Sequence, residues 1–287
     1  MGEKSLIIVN PVSGKIDKSK IDFSKYFSNC KIINWESPET DISKLVKEEL
    51  KKERYNNIIV AGGDGTVNKV AQIIVNTDYT LGIIPLGSGN GLARHLGIPM
   101  NIEKSIKIIL EGNNKKIDAC KINDIFFFCT SGVGFDAHIG HLFATSKNRG
   151  FKTYFKITLN QFLKYKGEEY VLFFDGKELQ YKAFLVTFAN ANQYGNNTFI
   201  APLADISDGE IDITIIKPFK LYNAPGIAYR IFTKSIHKSN HVLTFQASEI
   251  ILKRKFKGIA HFDGEPCFLP EEIIVKNIPS SLNVFVK

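Results

Sequence analysis

Gly62-Gly63-Asp64-Gly65-Thr66 follows the apolar run Ile58-Ile59-Val60-Ala61 and leads into a helix-like stretch. Glycines let backbone N–H groups approach a ligand closely, and a helix N-terminus adds partial positive charge, so the chemistry on offer is phosphate binding. Asp64 is out of place in a bare anion site. A carboxylate beside phosphates is repulsive unless a divalent cation lies between them, which points to a nucleotide carried as its Mg²⁺ complex. The plain alternative is a tight turn in which Asp64 caps the helix.

Two further turns share this character. Pro85-Leu86-Gly87-Ser88-Gly89-Asn90-Gly91 closes the next strand, and Asn10-Pro11-Val12-Ser13-Gly14-Lys15 closes the first. Three such turns at the carboxyl edge of one parallel sheet can serve one ligand. The turn at Asn10 is not a Walker loop, because Val9 stands where that loop requires its first glycine. Two acid-bearing turns come later. His261-Phe262-Asp263-Gly264-Glu265-Pro266 sets two carboxylates on a turn between β runs, although Asp-Gly alone is an ordinary hairpin signal. Ala201 to Glu210 crowds Asp205, Asp208 and Glu210 into one loop, either a holder for a hard cation or a solvated acidic turn.

Positioning these turns requires a regular frame. Ser5 to Asn10, Ile32 to Asn34, Asn57 to Ala61 and Leu81 to Ile84 read as strands, and Asp41 to Arg54, Thr66 to Val75 and Ile102 to Leu110 as helices. That alternation implies an α/β domain with a parallel sheet covered by helices. Beyond Glu111-Gly112-Asn113-Asn114 the texture changes to β-branched and aromatic runs, among them Tyr170 to Phe174, Phe184 to Ala189 and Ile211 to Ile216. These predict a second, antiparallel domain. Helical patterns over Lys152 to Lys166 and Leu221 to His237 interrupt it. The expected division is an α/β nucleotide domain over residues 1–114, completed by residues 271–287, and a β-rich domain over residues 115–270.

Taken together and in order, the Asn-Pro-x-Ser-Gly turn, Gly62 to Thr66, Pro85 to Asn90, Asp208-Gly209 and Asp263-Gly264-Glu265 resemble the diacylglycerol kinase and sphingosine kinase family of lipid kinases, close to its bacterial members. The resemblance runs from Ile8 past Glu265. It implies an N-terminal Rossmann-like α/β domain and a C-terminal antiparallel β-sandwich, with the site between them. It implies ATP and Mg²⁺ as cofactors, with the nucleotide contacted by Asn10, Pro11, Val12, Ser13, Gly14, Ser37, Gly63, Asp64, Gly65, Thr66, Val67, Asn68, Lys69 and Ser88. Asp208, with the carbonyls of Asp205 and Glu210, matches the family's Mg²⁺ loop. Glu265 matches the proton acceptor, with Asp263 as its rival and Asp64 as a further acid at the reaction. Gly91 and His95 stand where bacterial diacylglycerol kinases commonly carry an acid after that Asn, which leaves the acceptor lipid open. Gly-Gly-Asp-Gly alone also resembles NAD kinases, so a soluble small-molecule kinase and a non-catalytic nucleotide-binding regulator stay as alternatives.

Composition fits this frame. The chain has 287 residues, 44% hydrophobic, with 22 Phe, which excludes a disordered, collagenous or disulfide-stapled class. Cys30, Cys120, Cys129 and Cys267 show no Cys-x-x-Cys spacing, so packed, reduced thiols are expected. The start lacks a secretory signal and no apolar run reaches the ~18 residues of a membrane span, so a cytoplasmic protein is expected, attached only peripherally to membrane when acting on lipid. A net charge of +8 permits anionic partners without choosing among them. The expected partners are a lipid substrate and a transient membrane surface, with no nucleic acid; a homodimer is left open. Lys147 to Lys166, apolar and lysine-rich near helical spacing, is either an interfacial helix or a helix packed on the second sheet. Lys253-Arg254-Lys255-Phe256-Lys257 reads as a solvated strand face, with attraction to anionic lipid as its functional alternative.

Overall fold

Five consecutive buried residues, Ser5–Val9, form the first strand (β1), flanked by Cys30–Asn34 (β2) and Asn57–Gly62 (β3), with Thr80–Pro85 (β4) beyond β3. All pair in parallel in the order β2-β1-β3-β4, and Asn283 and Val284 near the chain end pair in parallel with Thr80 and Leu81. Strands with apolar residues on both faces need helices on both, and the sequence supplies Ile42–Lys52 (α1), Asp64–Ile74 (α2), Gly91–His95 (α3) and Ile102–Glu111 (α4). Asp41 caps α1 by accepting from Ser43 N and Lys44 N, Asn101 caps α4 by accepting from Lys104 N, and Gly112 ends α4 at φ 77°. Ile106, Ile108 and Ile109 of α4 pack with Ile7, Ile59 and Ile84 of the sheet.

The computed structural model describes residues 4–10, 21–35, 37, 40–146 and 151–287. Its chain divides into two compact units, Met1–Ile117 with Ser280–Lys287, and Asp118–Pro279. Asn114–Ile122 (β5) and Ile125–Phe127 (β6) lead into the second unit, which continues with Thr130–Gly134 (β7), Phe135–Ala144 (α5), Phe151–Phe162 (α6), Glu168–Phe174 (β8), Lys177–Ala183 (β9), Leu185–Ala189 (β10), Ile211–Ile216 (β11), Ala224–Phe232 (α7), Val242–Ala247 (β12), Glu249–Arg254 (β13), Gly258–Phe262 (β14), Glu265–Leu269 (β15) and the part of Glu272–Phe285 (β16) that precedes Ser280. One antiparallel sheet runs β12-β11-β10-β7-β14-β15, and β16, β13, β8 and β9 pair antiparallel in another. Val186, Phe188 and Ile213 of the first share one apolar core with Leu172, Ile250 and Val275 of the second, the packing of a sandwich.

Three local readings differ from the structure. Leu221 to His237 is not one helix: α7 covers nine residues, with 3-10 turns at Leu221–Asn223 and Ile236–Lys238. Pro225 starts it, and Lys234 in the left-handed region at φ 57° prevents its continuation. The basic run at 253–257 is not wholly solvated. Arg254 turns inward, and its guanidinium donates to the carbonyls of Gly258, Ile259, Leu269 and Pro270 at 2.7–3.3 Å, while burial lowers its pKa. Helix α5 is invisible to periodicity, being aromatic, His-bearing and interrupted by Gly140. No helix among the described residues is long and apolar enough to cross a membrane.

The turn into α5 depends on Gly134, whose φ is 105° and whose added Cβ would meet Leu185 Cα and Phe184 O at 2.7 Å. Gly134→Ala is expected to destabilise the protein by about 2 kcal/mol or more, read as a lower urea midpoint.

Candidate functional site

In the first unit the glycine turns that follow β3 and β4 meet at the carboxyl ends of those strands, beside Asn10 at the end of β1. Gly87 lies so close to Gly63 that a Cβ on it would sit 2.6 Å from Gly63 Cα, so only glycine permits this approach. Asn10 N donates to Ala61 O, and Asn10 Nδ2 donates to Thr66 Oγ1 at 2.9 Å, tying the end of β1 to α2. The Asp64 carboxylate accepts from Asn90 N at 2.7 Å and Gly91 N at 2.6 Å. Asn90, at φ 52°, closes the same loop by accepting from Gly87 N and donating to Gly87 O. Asp64 therefore shapes the second glycine turn as well as beginning α2. Gly65 lies in the first turn of α2; Thr66, Val67 and Asn68 bury their side chains, while Lys69 stays exposed, its Nζ 4.7 Å from the centre of the Trp35 ring. Ser88 is exposed at the loop tip, and Ser37 is half-buried after β2. Pro11, Val12, Ser13 and Gly14 lie outside the described residues.

The second unit places its two acidic motifs around one buried thiol. Burial first, then the charges of Asp118, Asp263 and Asp208, push the Cys120 thiol well above its usual range, so this cysteine is inert and the three carboxylates lie within electrostatic reach of it. Asp263 and Gly264 form the two-residue turn between β14 and β15, both with positive φ, at 45° and 84°. Asp263 Oδ2 accepts from Phe128 N at 2.9 Å, and Oδ1 from Cys129 N and Thr130 N at 2.8 and 3.0 Å. Two residues on, Glu265 is exposed, and its carboxylate makes no hydrogen bond or ion pair among the described residues.

The acidic loop is internally ordered. Asp205 Oδ1 accepts from Ser207 N and Oγ, Asp208 Oδ1 from Glu210 N, and Asp118 Oδ2 from Gly209 N. Burial raises the pKa of Glu210, helped by the charges of Asp208 and Asp175. Burial also pushes Asp212 up to about 6, reinforced by Asp208 and Glu210 against a bond from Gln246. Asn277 Nδ2 donates to Glu210 O, leaving its buried Oδ1 with no partner among the described residues. No trio of His, Cys, Asp or Glu side chains there converges on a metal position, so a cation at this loop would rely on Asp208 with backbone and amide oxygens. That donor set, together with the excess of negative charge, fits a hard divalent ion.

Sequence reasoning missed a buried cluster in this unit. Asp136, at the start of α5, accepts on Oδ2 from Tyr194 OH at 2.9 Å and Thr187 Oγ1 at 3.2 Å, with His261 Nε2 at 3.1 Å. His261 is two residues before Asp263, so the pair braces the acidic hairpin against α5. The available signal was Gly132-Val133-Gly134-Phe135-Asp136, a strand, glycines and an acid at a helix start, the same grammar as at Asp64.

Comparison with known proteins agrees with this layout. Residues 4–122 match the family described as diacylglycerol kinase catalytic domain, and residues 130–286 the YegS C-terminal NAD kinase beta sandwich-like domain. A diacylglycerol kinase of Mycobacterium tuberculosis is 30% identical over 79% of this chain and 75% of its own length. A solved diacylglycerol kinase from Bacillus anthracis str. Sterne covers 99% of this chain and 97% of its own, at TM-score 0.76 and 24% identity, and shows the fold. An ATP complex of an NAD kinase from Archaeoglobus fulgidus, covering 98% and 93% at TM-score 0.54 and 13% identity, is a more distant relative in fold alone.

Replacing Asp64 by Ala leaves the amides of Asn90 and Gly91 without their carboxylate. The variant is expected to lose about 1–3 kcal/mol of stability, and these two amides to exchange hydrogen faster than those of β3.

Proposed function

The chain belongs to the diacylglycerol kinase catalytic-domain family of lipid kinases, and from that premise we propose that it transfers the γ-phosphate of ATP to the primary hydroxyl of diacylglycerol, a sphingoid base or a similar amphiphile, with Glu265 as proton acceptor. In such a transfer the acceptor oxygen forms a new bond to phosphorus, the bond to the β-phosphate bridging oxygen breaks, ADP leaves, and the hydroxyl proton passes to a carboxylate. The glycine turns offer backbone N–H groups and the exposed Ser88 hydroxyl to the phosphates. Asp208, with the backbone oxygens of its loop, would hold Mg²⁺ in this reading, and the ion would supply charge neutralisation.

The observation that carries this assignment is the contrast between neighbours. Asp263 directs both oxygens at three backbone amides, whereas Glu265 is exposed and free to meet a hydroxyl. Asp263 is therefore read as the anchor of the turn. The NAD kinase alternative rests on shared fold only. For a lipid acceptor the protein must reach a membrane surface, and Phe155, Leu159 and Leu163, exposed on and just after α6 beside Lys156 and Lys164, are read as one contact with it.

With labelled ATP and dispersed diacylglycerol, Glu265→Gln is expected to lower kcat by about 100-fold or more while leaving the melting temperature unchanged. Asp263→Asn is expected to lower stability by about 1–3 kcal/mol, because an amide N–H would then face backbone donors. Full turnover by Glu265→Gln would remove it as the base, and transfer to NAD in place of lipid would overturn the substrate class. Adding Mg²⁺ without nucleotide is expected to raise the melting temperature of the wild type by about 2 °C and that of Asp208→Asn by less, read by calorimetry.

A further inference from the structure

The stretch Ile213 to Ser248 contains no Asp or Glu, yet carries Lys217, Lys220, Arg230, Lys234 and Lys238. None of these five cations forms an ion pair among the described residues. Helix α7 lies within this stretch and has two apolar sides. Ile227 is buried in a core cluster with Phe184 and Ile216, and Ile231 packs against it, which accounts for one side. The other is unexplained by folding: Tyr229 is 70% and Phe232 55% exposed, three positions apart on the helix, and Tyr222 just before it is 73% exposed.

We propose that residues 217–238 form a second membrane-docking face, adjoining α6 where the Phe219 ring centre lies 5.3 Å from that of Phe162, that binds the surface of an anionic phospholipid bilayer. The inference rests on the lipid-kinase reading for its purpose, though not for its physics. Charge selects the occupant: an acid-free stretch whose cations form no ion pair among the described residues is complementary to anionic headgroups, and each Lys or Arg near such a surface adds to binding. Tyr and Phe suit the boundary between headgroup and acyl chain, and lysine stems run along apolar surface while their ammonium groups stay at the headgroups. Lys220 is placed for this, its Nζ 5.9 Å from the Tyr222 ring centre. The 3-10 turns on either side of the short helix bring these residues to the surface beside it.

The test is flotation of the full chain with vesicles of phosphatidylcholine alone and of phosphatidylcholine with phosphatidylglycerol. It compares the wild type, Tyr222→Ser with Tyr229→Ser and Phe232→Ser, and Lys220→Gln with Lys234→Gln. Phosphorylation of a short-chain diacylglycerol is measured in parallel without vesicles, and melting curves check folding. The wild type should bind the anionic vesicles and not the neutral ones, losing binding as salt rises. Both variants should bind about tenfold more weakly or worse while keeping their melting curves and short-chain turnover. Wild-type-like binding by both variants, or no binding of the wild type to either vesicle, would overturn the proposal. So would a dimer that dissociates in the aromatic variant without lipid, which would assign the face to a second copy of the chain. Absent short-chain turnover in the wild type, with vesicle binding behaving as expected, would instead sink the kinase reading and leave the docking face standing.

Discussion

Three consecutive backbone amides, those of Phe128, Cys129 and Thr130, converge on the carboxylate of Asp263, more than 130 residues away in sequence. Hydrogen bonds from backbone N–H to a carboxylate are short, charge-assisted and costly to leave unmade in a partly buried place. Here they lock the β14–β15 turn to the connection between β6 and β7. Asp263 N returns a bond to Thr130 O, so the grip acts in both directions. The rest of this region follows from it: His261 is brought to Asp136, and Glu265 is presented outward on the first residue of β15.

The same device appears in the first unit, where Asp64 grips Asn90 N and Gly91 N. In both places a carboxylate that looks like chemistry is engaged by backbone. It defines a loop, the hairpin before Glu265 in one case and the second glycine turn in the other. Such use of Asp explains why glycine accompanies it. The loops must approach each other to within a distance that forbids a Cβ, as at Gly87 against Gly63, or take positive φ, as at Gly264.

Charge is sorted along the second unit. Asp118, Asp175, Asp205, Asp208, Glu210 and Asp212 gather near one loop, where burial and mutual repulsion raise the pKa of Glu210 and Asp212. Immediately afterwards the chain runs without acid to Ser248. A stretch crowded with carboxylates thus gives way to one that carries cations and no acid.

Hydrophobic period alone was enough to place β1, β3 and β4 and the helices α1, α2 and α4, because each buries one continuous face, whereas it marks only Ile32 to Asn34 of the largely exposed β2. The turns that bear the motifs, and the family they indicate, were likewise legible, since glycine and Asp-Gly act locally. Helix α5, the inward turn of Arg254 and the Asp136–Tyr194–His261 cluster were not, and neither was the difference between Asp263 and Glu265. Each depends on strands far apart in sequence meeting in register, β7 beside β10 and β14, and nothing within ten residues of Asp263 reveals which amides it will reach. Local residue chemistry thus decided which groups could act, while long-range strand pairing decided which of them were left free to do so.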